Sequence, residues 1–65
     1  MYPNVIVELK RRGLSQRKLA QAIGMNEVEL CRKLKGRTGF WLDEALKIAD
    51  VLAPCSVEYL FEQKN

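Results

Sequence analysis

The chain has no histidine, only two cysteines and only two prolines among its 65 residues, and most of these scarcities exclude something. Without an imidazole, Ser15, Ser56, Cys31 and Cys55 lack the usual base that would turn them into nucleophiles. Two cysteines and no histidine fall short of a zinc site or a disulfide framework. A single Cys31–Cys55 bridge stays open on sequence grounds, although a reducing cytosol disfavours it. No GxxxxGK[ST] phosphate loop is present, and Asp43 and Glu44, adjacent on a helix, cannot face each other as an acid/base pair. The expectation is therefore no enzyme, no metal, no cofactor and no small-molecule substrate. Long apolar runs are also missing, the longest being far short of the roughly 20 residues that span a bilayer. The N-terminus, with Asn4 and Glu8 among its apolar residues and no basic lead-in, does not read as a secretory signal. A cytoplasmic protein without a membrane partner is expected.

What is present is ordinary globular material, 48% apolar and 29% charged. A chain of this length buries only about 60% of its unfolded surface, enough for a single domain over residues 1–65 with a small core. The formal net charge of +3 says little, but its distribution says more. From Lys10 to Arg37 nine basic residues (Lys10, Arg11, Arg12, Arg17, Lys18, Arg32, Lys33, Lys35, Arg37) face two acidic ones, a local excess of +7. From Thr38 onward Lys47 and Lys64 face five acids, leaving −3. Clustered charge of one sign repels itself unless a polyanion neutralises it, and phosphates are the obvious candidate; a solvated face kept for solubility is the alternative.

The stretch from Leu14 to Gly36, LSQRKLAQAIGMNEVELCRKLKG, reads as two short helices joined by a tight turn. Ser15 can cap the first, and Gln16 to Ile23 puts Leu19, Ala20 and Ile23 on one face. Gly24 follows the last apolar position, where glycine takes a left-handed backbone without steric cost. Asn26 can cap the second helix, whose Glu27 and Glu29 suit its positive end and whose Leu30 and Leu34 repeat at i, i+4. Gly36 stops it. Around this pair, Asn4 to Arg12 reads as a helix with Pro3 at its start, a stripe of Val5, Ile6 and Leu9, and Lys10, Arg11 and Arg12 at the end that favours cations. Leu14 and Phe40 are expected to turn inward. Leu42, Ala45, Leu46, Ala49 and Leu52 recur at helical spacing, with Ile48 widening the stripe, so Leu42 to Leu52 is expected as a helix whose apolar face packs on the core. Pro54 ends it, and Ser56 can cap a last short helix with Val57, Leu60 and Phe61. Trp41 is assigned to the core, with an exposed anchor in a dimer interface as the alternative. The fold class is all-α, five helices and no strand.

The order of a polar cap, Gln16, Leu19-Ala20, Gly24 and Leu30 resembles the helix-turn-helix of the Cro and phage-repressor (XRE-like) family. Beyond it, Asn4 to Arg12 is similar to that family's first helix, and FWLDEALKIADVL with SVEYLF to its fourth and fifth, as in small prophage-type members. Two positions depart from the pattern. Lys33 stands where the family usually has an apolar residue, and Trp41 where a small capping residue is commoner. The resemblance implies a five-helix lambda-repressor-like domain acting as a sequence-specific DNA-binding transcriptional regulator, nucleoid-associated, with double-stranded DNA as partner. It implies that Glu27, Val28 and Arg32 read bases, with Gln16, Arg17, Asn26, Lys33, Lys35 and Arg37 on the sugar-phosphate backbone. For Glu27, helix capping and dipole alone are an equally good explanation. One reading helix covers too few base pairs to stand out in a genome, so a homodimer on DNA is expected, with Trp41, Val57, Tyr59 and Phe61 as its interface. A protein-interaction module of the antitoxin kind, using the same fold without an operator, is the alternative.

Overall fold

The computed structural model describes residues 2–63, which form five helices, with no strand among the described residues. They are α1 (Pro3–Arg11), α2 (Gln16–Ile23), α3 (Glu27–Leu34), α4 (Leu42–Val51) and α5 (Val57–Leu60). The boundaries follow from local chemistry. Proline opens α1, where no N–H is needed. Ser15 Oγ accepts from the Lys18 N–H at 3.1 Å, Asn26 Oδ1 from the Val28 N–H at 2.8 Å and Ser56 Oγ from the Tyr59 N–H at 3.1 Å, each satisfying a donor that the first helical turn leaves open. Gly24 ends α2 with φ 72°, and the following Met25 N–H returns to the Ala20 carbonyl at 2.8 Å. The turn that joins α2 to α3 is thus closed by a glycine in the left-handed region and a capping asparagine.

The core is built from one face of each helix: Val5 and Leu9 of α1, Leu19, Ala20 and Ile23 of α2, Leu30 and Leu34 of α3, Ile48 of α4, Leu52 just after it and Leu60 of α5. Leu14 and Phe40 turn inward against it, as the sequence predicts. Tyr2, Phe40 and Phe61 form a ring of three edge-to-face contacts with centroids 5.4, 5.5 and 5.1 Å apart, so the residue before α1, the loop after α3 and the end of α5 close over one side of the core.

Glu8 and Arg12 tie α1 to the elements that follow α4. Glu8 is buried in α1; Arg12 donates to its Oε1 and the Tyr59 hydroxyl to its Oε2, the latter at 2.9 Å. Arg12 also reaches the Leu52 and Ala53 carbonyls at 3.0 and 3.1 Å, satisfying acceptors at the open C-terminal end of α4. The Arg12 guanidinium first and the Tyr59 hydroxyl second hold the Glu8 carboxyl below the usual carboxylate range. Arg12 was expected to add to the cationic surface; its guanidinium is instead turned into the fold.

The expected stripe of α4 is rotated. Ala45 and Ile48 are buried and Ala49 packs against the core, but Leu42 and Leu46 are 71% and 52% exposed. Ala45, Ile48, Ala49 and Leu52 already form a complete i, i+3, i+4, i+7 face, which leaves Leu42 and Leu46 on the neighbouring ridge. Trp41 is also corrected: it is 72% exposed at the N-cap of α4 and belongs to no core cluster.

Candidate functional site

With Leu30, Lys33 and Leu34 turned inward, helical geometry sends Val28, Arg32 and Lys35 outward, and Glu27 is exposed as the first residue of α3. Val28 is 61% exposed, an apolar side chain on the outer ridge of a helix that has the rest of its apolar residues buried. Glu27, Val28, Arg32, Lys35 and Arg37 line one cleft together with Gln16, which stands half-buried at the start of α2. The expected base-reading trio and three of the expected backbone contacts are therefore neighbours in space. Arg17 is exposed on the first turn of α2. Asn26 lines a second groove on the other side of the Val28–Arg32 ridge, and while its side-chain oxygen caps α3, its amide NH₂ makes no hydrogen bond within the described residues.

Lys33 is the correction within this set. Rather than facing outward as a phosphate contact, it is buried, its Nζ 2.7 Å from Glu44 Oε1 and 3.7 Å from Glu29 Oε1, with the Phe40 ring centroid at 5.9 Å. Glu44 Oε1 also accepts the Trp41 backbone N–H at 2.9 Å. The Glu44 hydrogen bond holds the Lys33 ammonium above its ordinary value despite burial. Burial opposes the charge on Glu44, but Lys33 and the Trp41 N–H outweigh it and keep the carboxyl below its usual range. The departure at Lys33 is thus accommodated by a lysine that takes an inward position and finds its counter-charge on α4. Sequence reasoning had Glu44 only as one of two adjacent acids that cannot form an acid/base pair. Its position three residues after the N-cap, with an inward lysine on the preceding helix, is the signal that would have found it.

Seven cations of the basic stretch remain exposed, namely Lys10, Arg11, Arg17, Lys18, Arg32, Lys35 and Arg37. All lie on α1, α2, α3 and the loop after α3, whereas the acids Asp43, Asp50 and Glu58 are exposed on α4 and α5. The charge asymmetry read from the sequence survives the loss of Arg12 and Lys33 to internal pairs.

The expected dimer residues fare differently from one another. Tyr59 donates its hydroxyl to Glu8 and still keeps 37% of its surface exposed, whereas Phe61 is half-buried in the aromatic ring with Tyr2 and Phe40, so Phe61 has its main contacts within the fold and Tyr59 keeps an outward face. Val57 lines a shallow apolar cleft with Tyr2, Phe40, Leu42, Ala45 and Phe61. Leu42 of this cleft is exposed, as is Leu46 one turn further along α4, and sequence reasoning had assigned both to the core. Cys31 and Cys55 are free thiols, so the bridge left open by the sequence is not formed.

Among the described residues there is no group of three histidine, cysteine or acidic side chains that could hold a metal, no buried side-chain nitrogen or oxygen without a partner, and no helix long and apolar enough to cross a membrane. The buried side-chain polar atoms of the described residues are thus all satisfied. Comparison with protein-family models, curated proteins and solved structures returned no match.

Proposed function

We propose that this chain is a sequence-specific DNA-binding regulator in which α2, the Gly24 turn and α3 act as a helix-turn-helix of the Cro and phage-repressor type. The observation that carries the reading is the single outward cleft that unites Gln16, Glu27, Val28, Arg32, Lys35 and Arg37, on the cationic side of the molecule. An α-helix fits the major groove, where each base pair shows a distinct pattern of donors, acceptors and methyl groups. Arg32 can fork to guanine, Val28 can cover a thymine methyl, and Glu27 can accept from a cytosine amine. Gln16, Arg17, Asn26, Lys35 and Arg37 supply positioning contacts to phosphate and sugar. The exposed Val28 supports this reading, because an isolated apolar side chain there gains nothing from water and something from a methyl group.

The working species is proposed to be a homodimer on a two-fold related site, because one α3 reads too few base pairs for a genome. Leu42 and Leu46, on the α4 ridge away from the cations, are the residues to meet the second copy, with Val57 beside them. The interface is small, so the pairing is completed on DNA.

Selection of bound duplexes from a random pool tests the function. A recovered consensus, with log K falling at a slope near −4 to −5 against log salt if about five phosphates are neutralised, supports it. A flat salt dependence, or no binding at low salt, favours instead the protein-interaction module, a reading to which the exposed Leu42 and Leu46 would then belong.

A further inference from the structure

We propose that Trp41 is a DNA-contacting residue, its ring lying against a deoxyribose and its Nε1–H donating to a phosphate of the backbone that flanks the bases facing α3. This rests on the DNA-binding reading and adds to it a neutral contact outside the cationic set.

Trp41 is the sole tryptophan and is 72% exposed. Tryptophan joins a large apolar face to a single N–H donor, a combination suited to a surface with one dry and one wet component, as a sugar-phosphate strand is. Its surroundings point toward α3. Trp41 lines a groove with Val28, Arg32 and Asn26, residues at or beside the proposed reading ridge, and with Thr38 and Gly39 of the loop that carries Lys35 and Arg37. Leu42, the next residue, lines the separate cleft with Val57 and Phe61. Two consecutive apolar side chains thus open to different sides of the molecule, and the side Trp41 faces is the one shared with the exposed Arg32.

The position of Trp41 is held by the charges beneath it. Glu44 Oε1 accepts the Trp41 backbone N–H at 2.9 Å and the Lys33 ammonium at 2.7 Å, which ties the N-cap of α4 to α3 through one oxygen and leaves the indole Nε1–H out of it. The acid of the groove, Glu29, has Lys33 Nζ at 3.7 Å, so its charge is partly offset where a phosphate strand would pass. A neutral donor adds affinity at such a place without requiring a further cation.

A single tryptophan makes the test direct. Labelled mixed-sequence duplex is titrated at low salt, following label anisotropy and, with unlabelled duplex, indole emission excited where tyrosine does not absorb. The expected result is an emission change with the same midpoint as the anisotropy change. Trp41→Phe, which keeps a ring and loses the N–H, should bind several-fold more weakly, and Trp41→Ala about tenfold more weakly, both with the parent's salt slope because the contact is uncharged. Lys35→Ala should lower that slope by about one. If anisotropy rises while the emission stays constant and both variants bind like the parent, the Trp41 contact is wrong and DNA binding stands. An emission change that follows protein concentration without duplex assigns the indole to a second copy and overturns the proposal. Absence of any anisotropy change at low salt overturns both. Unaltered melting of Trp41→Phe confirms that its affinity loss is not one of folding.

Discussion

Lys33 of α3 and Glu44 of α4 are joined at 2.7 Å, a buried lysine answering a carboxylate across the interior edge of the proposed reading helix. This contact fixes α3 from behind. Lys33 follows Arg32 in sequence, about 100° further round the helix, and is buried where Arg32 is exposed, so the pair sets the rotation at which Val28 and Arg32 face outward. A hydrophobic residue at position 33 would bury equally well but would not choose a partner, whereas the ion pair accepts one register.

The first prediction concerns that pair. Lys33→Ala and Glu44→Gln should each lower the melting temperature, because each leaves the remaining charge poorly compensated. The double variant Lys33→Ala/Glu44→Gln should lose less than the sum of the two single losses. Strict additivity in a double-mutant cycle by thermal unfolding would show that the two side chains do not act together.

Stability should be flat between about pH 5 and pH 10 and fall on both sides. Glu8 and Glu44 are held below their ordinary values, so their contribution is complete above the unfolded carboxylate value and is lost as pH falls through the lowered folded ones. Tyr59 and Lys33 are raised, in both cases first by the hydrogen bond to their acid, Glu8 and Glu44 respectively. Their contribution is complete below the unfolded values and is lost as pH climbs through the folded ones. No histidine titrates in between. Denaturant midpoints across this range check it, and Glu8→Gln should flatten the acid limb.

Arg32→Ala should cost roughly 1–3 kcal/mol on the preferred duplex and relax the preference at one position, while Lys35→Ala weakens all sequences alike. Competition with random DNA separates the two. An equal loss on specific and random duplex for Arg32→Ala would remove it from base reading.

Gly24→Ala should destabilise by about 1–2 kcal/mol. The φ of 72° is in the left-handed region, and a Cβ there would meet no atom within 4 Å, so the cost is conformational alone and Gly24→Asn should be milder. Chemical denaturation of both variants gives the comparison.

Leu42→Ser with Leu46→Ser should leave the melting temperature nearly unchanged, since both side chains already face water, but should abolish cooperative occupancy of a two-fold site. Moving the half-sites apart by about five base pairs should do the same to the parent by placing them on opposite faces of the duplex. One protein per duplex by mass, with undiminished affinity, would exclude the dimer.

Much of the fold is legible residue by residue, because helix ends are decided by local chemistry. Ser15, Asn26 and Ser56 cap where they stand, Gly24 turns where the apolar face of α2 ends, and α2 and α3 begin and stop where spacing and caps put them. Helical periodicity also makes Val28 and Arg32 share the outer face of α3 once Leu30 and Leu34 are turned inward, while Gln16, Glu27, Lys35 and Arg37 were named for this site only through the family resemblance.

Tertiary structure alone decided the rest. Whether Leu42 or Ile48 meets the core depends on how α4 is rotated against its neighbours, and an apolar residue on either ridge looks alike in one dimension. Whether a lysine or arginine is free for a phosphate depends on acids distant in sequence or on another face: Glu44 lies eleven positions from Lys33, and Arg12 reaches carbonyls forty positions away. Trp41 was assigned to the core with an exposed anchor as the alternative, and the structure turns it to water; Tyr59 was placed outward and is exposed, but its hydroxyl also reaches Glu8. Burial is settled by which volume the assembled helices leave open, and hydrogen bonding by which partner comes within reach.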